Sequence, residues 1–320
     1  MIIGDWALVF NLASIGLMGL FIAHALQSIG WLLIKKKLMA LCPQSRKNLL
    51  LSWVVSPFIL SLVVTAFFYL SITGSHEILN NIAHWHHAYV FNFNSWHGFL
   101  LVSFILYFLW KLFLAVRQWR SQRSDIKSLN LLSGVHTGRR CNDLNYFLLD
   151  SKSPAAFVAG IIKPKCYLTI GLKQQLSSNE LNIVLKHEKA HIDFKDALSK
   201  YLFNLLTIFY PSKIRLQIKQ NYILALEQIA DQEVSKSYKA VDVASTLVKV
   251  ARLQKMHKSQ LSFCHFGSEH ISLRVEQLIA PNALTVLPKG MSIIGIILMM
   301  LVTLSAIDAS HHLVESLFNH

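Results

Sequence analysis

The chain has 320 residues, 53% of them hydrophobic and only 15% charged, yet 31 Lys and Arg stand against 17 Asp and Glu, a formal charge of +14. A basic excess of this size can serve nucleic-acid binding, but here it is partitioned along the chain, as membrane topology requires, so no direct nucleic-acid partner is expected. The four cysteines (Cys42, Cys141, Cys166 and Cys264) form no C-x-x-C pair, which argues against a cysteine zinc site and a disulfide framework.

Residues 1–34, 48–110 and 290–320 contain no Lys or Arg; Lys35, Lys36, Lys37, Arg46 and Lys47 separate the first two stretches, and the other 26 basic residues lie from Lys111 to Lys289. Four segments, at about residues 6–34, 49–72, 98–116 and 291–307, are apolar enough to cross a bilayer, which needs roughly twenty residues. The positive-inside rule then gives one consistent arrangement, with the N-terminus outside and residues 35–48 cytoplasmic. Residues 73–97 are outside, 117–288 cytoplasmic, and the tail from 308 to 320 outside. The bilayer is thus a partner in its own right, and the basic face is also drawn to anionic headgroups. The first span follows five residues with no basic n-region and no evident cleavage site, so it reads as a retained anchor. The expected organisation is a membrane region over 1–116 with three helices, a cytoplasmic α+β domain over 117–288, and a fourth helix with a short external tail over 289–320.

The outer loop carries His76, Glu77, His84, His86, His87 and His97. Such a set can hold copper or zinc, although the interleaved Trp85, Tyr89, Phe91, Phe93 and Trp96 suit an aromatic belt at the membrane boundary better. Lys111, near the cytoplasmic end of the third span, reads as a snorkelling lysine. The basic stretch 117–128 leaves the membrane as a helix or linker. Strand-like segments follow near 146–149, 155–159 and 166–170, with turn signals at Ser153-Pro154, Lys163-Pro164 and Gly171.

Ser177-Ser178-Asn179-Glu180 is a capping-box signature. Leu181, Val184, Leu185 and Ile192 supply an apolar stripe, predicting a helix from about 178 to past 198. Within it His187-Glu188-Lys189-Ala190-His191 reads H-E-x-x-H. On a helix the two histidines share a face, so both imidazoles can reach one zinc ion, and Glu188 is placed to take a proton from an attacking water. A catalytic zinc needs a third protein ligand and keeps one open position. Downstream, Glu227 and Asp231 share a helical face at i and i+4. The economical assignment makes Glu227 the ligand and Asp231 the acceptor for the far nitrogen of a ligating histidine. Glu233 is the competing third ligand. One zinc per chain is expected, with Tyr222, His257, His265 and His270 as candidates for stabilising the oxyanion.

Taken together, the chain resembles the BlaR/MecR family of integral-membrane zinc metallopeptidases. The resemblance rests on three spans before the domain and one after, and on Ser153-Pro154 leading through Ala156-Phe157-Val158-Ala159-Gly160 to Lys163-Pro164. It rests also on H-E-x-x-H followed by Asp196, on Phe209-Tyr210-Pro211, on Glu227 with Ala230-Asp231, and on Leu273-Arg274-Val275-Glu276-Gln277-Leu278. It implies a gluzincin-type site, with His187, His191 and Glu227 on zinc and Glu188 as general base, facing the cytosol. It further implies a regulatory protease of the bacterial cytoplasmic membrane, switched from outside, that cleaves a cytosolic transcriptional repressor or itself. The short tail leaves no room for the family's external penicillin-binding sensor. Two other readings stand beside it: an HtpX-type membrane quality-control or processing peptidase, and a non-enzymatic receptor whose zinc is structural. The segment 155–160 could accept an extended substrate as an added strand, or be an ordinary sheet strand.

Overall fold

In the computed structural model, residues 1–74, 88–132, 139–141, 144–256 and 270–280 are described, with isolated positions at 285, 297–298, 301–303 and 305. The outer histidine loop falls almost wholly outside the described residues, as do His257, His265 and most of the fourth predicted span.

Helix α1 (Asp5–Ile34) and helix α2 (Pro43–Thr73) form an antiparallel hairpin, with Leu8 packed near Phe68 at one end and Trp31 near Leu50 at the other. Pro43 opens α2 where a missing N–H costs nothing. Both helices are long and apolar enough to cross a membrane. Where they cross, Ser61 donates to the Gly16 carbonyl at 2.6 Å, and a Cβ on Gly16 would come within 2.7 Å of Thr65 Oγ1. Only a small residue lets the backbones approach so closely. Strand β1 (Ile2–Ile3) pairs antiparallel with β2 (Val90–Phe91) at the Leu8–Phe68 end of this hairpin. The third expected span lies in helix α3 (Trp96–Leu132), whose apolar stretch Gly98–Leu114 is shorter than the first two; the helix then runs on through the basic segment read as a helix or linker.

Beyond α3, four strands form one sheet. They are β3 (Arg139–Cys141), β4 (Leu144–Leu149), β5 (Ala156–Ala159) and β6 (Lys165–Thr169), in spatial order β3-β4-β6-β5, with only the β4–β6 pair parallel. The three strands predicted from sequence are present within a residue or two; β3 was not foreseen. Alternation along β6 sorts its side chains onto two faces. Cys166 and Leu168 face a core with Leu185 and Val250, while Tyr167 stacks on Phe157 on the other side. Helices α4 (Ile170–Gln175), α5 (Ser178–Asp193), α6 (Asp196–Leu206), α7 (Ser212–Ser235), α8 (Ala240–Met256) and α9 (Ile271–Ile279) follow.

The sheet-and-helix part and the hairpin share a core. Trp31, Leu38, Leu50 and Val54 pack with Phe203, Tyr210, Ile218, Tyr222 and Leu226 in one buried cluster. The turn between α6 and α7 enters the helices. Phe209 lies against Phe58, Phe104 and Tyr107, and Tyr210 against His24, with ring centroids 4.9–6.1 Å apart. The Tyr210 hydroxyl bonds to Gln27 and to the Trp53 carbonyl. His24 is eleven residues before Lys35, so the turn reaches roughly 16 Å along α1 from its basic end.

Candidate metal centre

The capping box is present as the sequence predicted: Ser177 accepts from the Glu180 N–H, and Glu180 accepts from the Ser177 N–H at 2.8 Å. The zinc-motif helix is shorter than periodicity suggested. It ends at Asp193, Lys195 adopts a left-handed conformation (φ 54°), and α6 starts afresh at Asp196. The break has a structural consequence. In a continuous helix Asp196, five residues past His191, would point about 140° away from it. Restarting the helix brings the Asp196 carboxylate back, and His191 Nδ1 lies 2.7 Å from Asp196 Oδ2.

His187 and His191 sit one turn apart on α5, with ring planes at 90° and Nε2 atoms 3.1 Å apart. Glu227, from α7, brings Oε2 to 3.3 Å from His187 Nε2 and 3.5 Å from His191 Nε2. Ligand atoms of these three residues all lie within 4.8 Å of one another. Asp231, one turn beyond Glu227, places Oδ1 3.1 Å from His187 Nδ1. Glu233 is not part of this group; it faces outward and pairs with Lys236 at 2.6 Å.

Each imidazole therefore has its Nδ1 on a carboxylate, which fixes the proton there and leaves Nε2 with a lone pair. With both imidazoles neutral, two such lone pairs and a carboxylate oxygen converge, and that donor set fits a cation. The electrostatics agree. Burial opposes charge on Glu227, but His191, Lys200 and His187 outweigh it and hold the acid well below its ordinary range. Burial likewise opposes the imidazolium of His187, yet Asp231 and Glu227 raise it to about 10. A buried site that attracts a proton this strongly is one in which a cation can take the proton's place.

Two residues support the carboxylates. Arg274, on α9, donates to both oxygens of Asp231 at 2.7 Å and reaches Glu227 Oε2 at 3.3 Å. Lys200 Nζ lies 3.3 Å from Glu227 Oε1. The sequence exposed Asp196 and Arg274 only as members of recurring motifs, without a task, and gave no signal for Lys200. Glu188 is buried on the same helix, and its carboxylate makes no hydrogen bond or ion pair among the described residues. It lines a cavity of about 500 Å³ together with His187, His191, Glu227 and the edge strand β5. Tyr222 also lines it, stacked on Phe203 with its hydroxyl on Ser199; His270 is exposed at the start of α9.

Residues 136–260 match the model of Peptidase family M48. The matched segment contains the sheet, the H-E-x-x-H helix and Glu227, which supports a zinc-dependent metallopeptidase domain, and it ends before Arg274. The match does not extend to the BlaR/MecR family in particular. No curated protein and no solved structure matches the chain.

Proposed function

We propose that the chain is a membrane-embedded zinc metalloendopeptidase whose site faces the cytosol, and that it acts in signal transduction by cleaving a cytosolic repressor or itself. The observation that carries the peptidase half is the convergence of two Nε2 lone pairs and the Glu227 carboxylate beside the buried Glu188. His187, His191 and Glu227 would hold the ion, and zinc bound there supplies a Lewis acid that polarises a carbonyl and acidifies water.

The remaining chemistry belongs to the protein. Glu188 accepts the proton of a water as its oxygen attacks the scissile carbonyl carbon. It then delivers that proton to the amide nitrogen as the C–N bond breaks. Asp231 and Asp196 keep both imidazoles in the tautomer and orientation the ligand role requires. Strand β5 lies at the edge of the sheet and borders the same cavity, so its free side can align an extended peptide by strand addition.

The cytosolic orientation is supported by packing: α6 and α7 lie on the ends of α1 and α2 joined by the basic loop of residues 35–47. A receptor with a structural zinc would close the fourth position with a protein ligand and would have no use for Glu188.

Immunoblots of cells carrying wild type or Glu188→Gln, with zinc content measured on purified protein, test the reading. The variant should keep its zinc and lose about a hundredfold or more in cleavage, with self-cleavage fragments gone and a repressor encoded nearby no longer depleted. Equal cleavage by zinc-replete Glu188→Gln would sink the peptidase mechanism. Cleavage confined to misfolded or precursor membrane proteins would replace the regulatory role by a quality-control or processing one.

A further inference from the structure

Arg46 stands on the fourth residue of α2, and only 1% of it is exposed. Among the described residues no carboxylate pairs with it. Its Nη2 donates to Gln228 Oε1 at 2.7 Å, its Nη1 lies 3.2 Å from Met39 Sδ, and its Nε has no partner. A guanidinium buried without a counter-charge is costly, and apolar packing would hold two helices together more cheaply. Stability alone is a poor explanation for it.

Its one strong contact leads into the metal centre. Gln228 follows Glu227 directly on α7 and is itself buried. While its Oε1 accepts from Arg46, its Nε2 reaches the Leu273 carbonyl on α9 at 3.4 Å. The next residue, Arg274, holds Asp231 at 2.7 Å and Glu227 at 3.3 Å. A second thread runs parallel. Past α9 the chain is pinned at Thr285, whose N–H donates to Ala40 O at 3.0 Å and whose carbonyl accepts from Cys42 N–H at 3.1 Å, in the loop between α1 and α2. The segment that delivers Arg274 is thus tied at both points to the start of the second apolar helix.

We propose that Arg46 is a positioning residue of the metal centre: it orients Gln228, Gln228 fixes α9 against α7, and α9 carries Arg274 to Asp231 and Glu227. This rests on the metal-binding reading above and adds to it a route by which the loop between α1 and α2 sets metal affinity. An amide has only two useful orientations, and losing the Arg46 donor frees Gln228 to turn away from Leu273. Glu227 and Asp231 would then keep their places on α7 but lose the guanidinium that orients both carboxylates.

The test uses the full chain in detergent, with zinc affinity read by competition against a chelating dye. Arg46→Met and Gln228→Met should each weaken zinc by roughly ten- to a hundredfold, the usual loss when a partner of a ligand is removed. The double variant should be no worse than either single one, because both cut one link. Arg46→Lys, which restores a donor, should recover most of the affinity, whereas a role confined to holding the helices together would change thermal unfolding of the metal-free chain and leave zinc affinity alone. Wild-type affinity in Arg46→Met, or fully additive losses in the double variant, would overturn the proposal. Should Arg46→Met not fold, unchanged zinc affinity in Gln228→Met does the same. A wild-type chain that binds no zinc would sink the metal-binding reading and this link together, whereas a zinc-binding wild type with unaffected variants sinks the link alone.

Discussion

At the scale of single residues, the site separates side chains that would hold a metal from those that hold the holders. His187→Ala, His191→Ala and Glu227→Ala should each lose most of the zinc measured by elemental analysis, whereas Glu233→Ala should lose none, because Glu233 pairs with Lys236 on the outer side of α7. Asp231→Ala and Asp196→Ala should each weaken zinc binding about ten- to a hundredfold, since each accepts the Nδ1 proton of one imidazole. A tight metal in Asp196→Ala would show that the left-handed turn at Lys195 serves something else. Cys166 gives a pH-dependent expectation: burial, and then the nearby Glu188 charge, push its thiol well above the ordinary range. The thiolate is the reactive form, so it should stay unmodified by iodoacetamide in the folded chain even near pH 9 and react only after unfolding, as peptide mapping would record.

Among the elements, the parts fixed by local chemistry were the legible ones. The capping box names the first residues of α5, the i and i+4 spacing names both its histidines and the Glu227–Asp231 pair, and turn residues bracket β4, β5 and β6. The end of α5 was not legible, because its apolar stripe runs on past Asp193 with no Gly or Pro to interrupt it, and a non-Gly residue supplies the left-handed turn. Lys200 was hidden and Arg274 showed only as part of a motif, since their partners are fixed only when α6 and α9 pack against α7. Two stability measurements follow. Ser177→Ala removes an acceptor from the first turn of α5 and should cost about 1 kcal/mol. Lys195→Gly relieves a left-handed residue whose strain is of the order of 1–2 kcal/mol, offset in part by the greater chain entropy of glycine, so thermal unfolding should occur slightly higher. A lower transition would mean that the Lys195 side chain contributes more than its backbone strain costs.

Across the whole molecule, the charge partition predicts one topology. Reporter fusions after Ile72 and after Ile307 should read as external, and fusions within residues 117–288 as cytoplasmic. A cytoplasmic reading near His84–His87 would reverse the arrangement and with it the cytosolic substrate. The shared core has a practical consequence for anyone who would work on the catalytic part in isolation. Residues 117–288 look like a separable soluble enzyme by charge, but Phe203, Phe209, Tyr210, Ile218, Tyr222 and Leu226 find their cover in Trp31, Leu38, Leu50, Val54, Phe58 and Phe104. Cutting the chain ahead of residue 117 would strip that cover and leave an aromatic face bare to water, the kind of surface that drives aggregation. Such a fragment should precipitate or bind a hydrophobic dye such as ANS, and regain solubility when residues 1–116 are co-expressed beside it: the hairpin is then, in effect, the enzyme's resident chaperone.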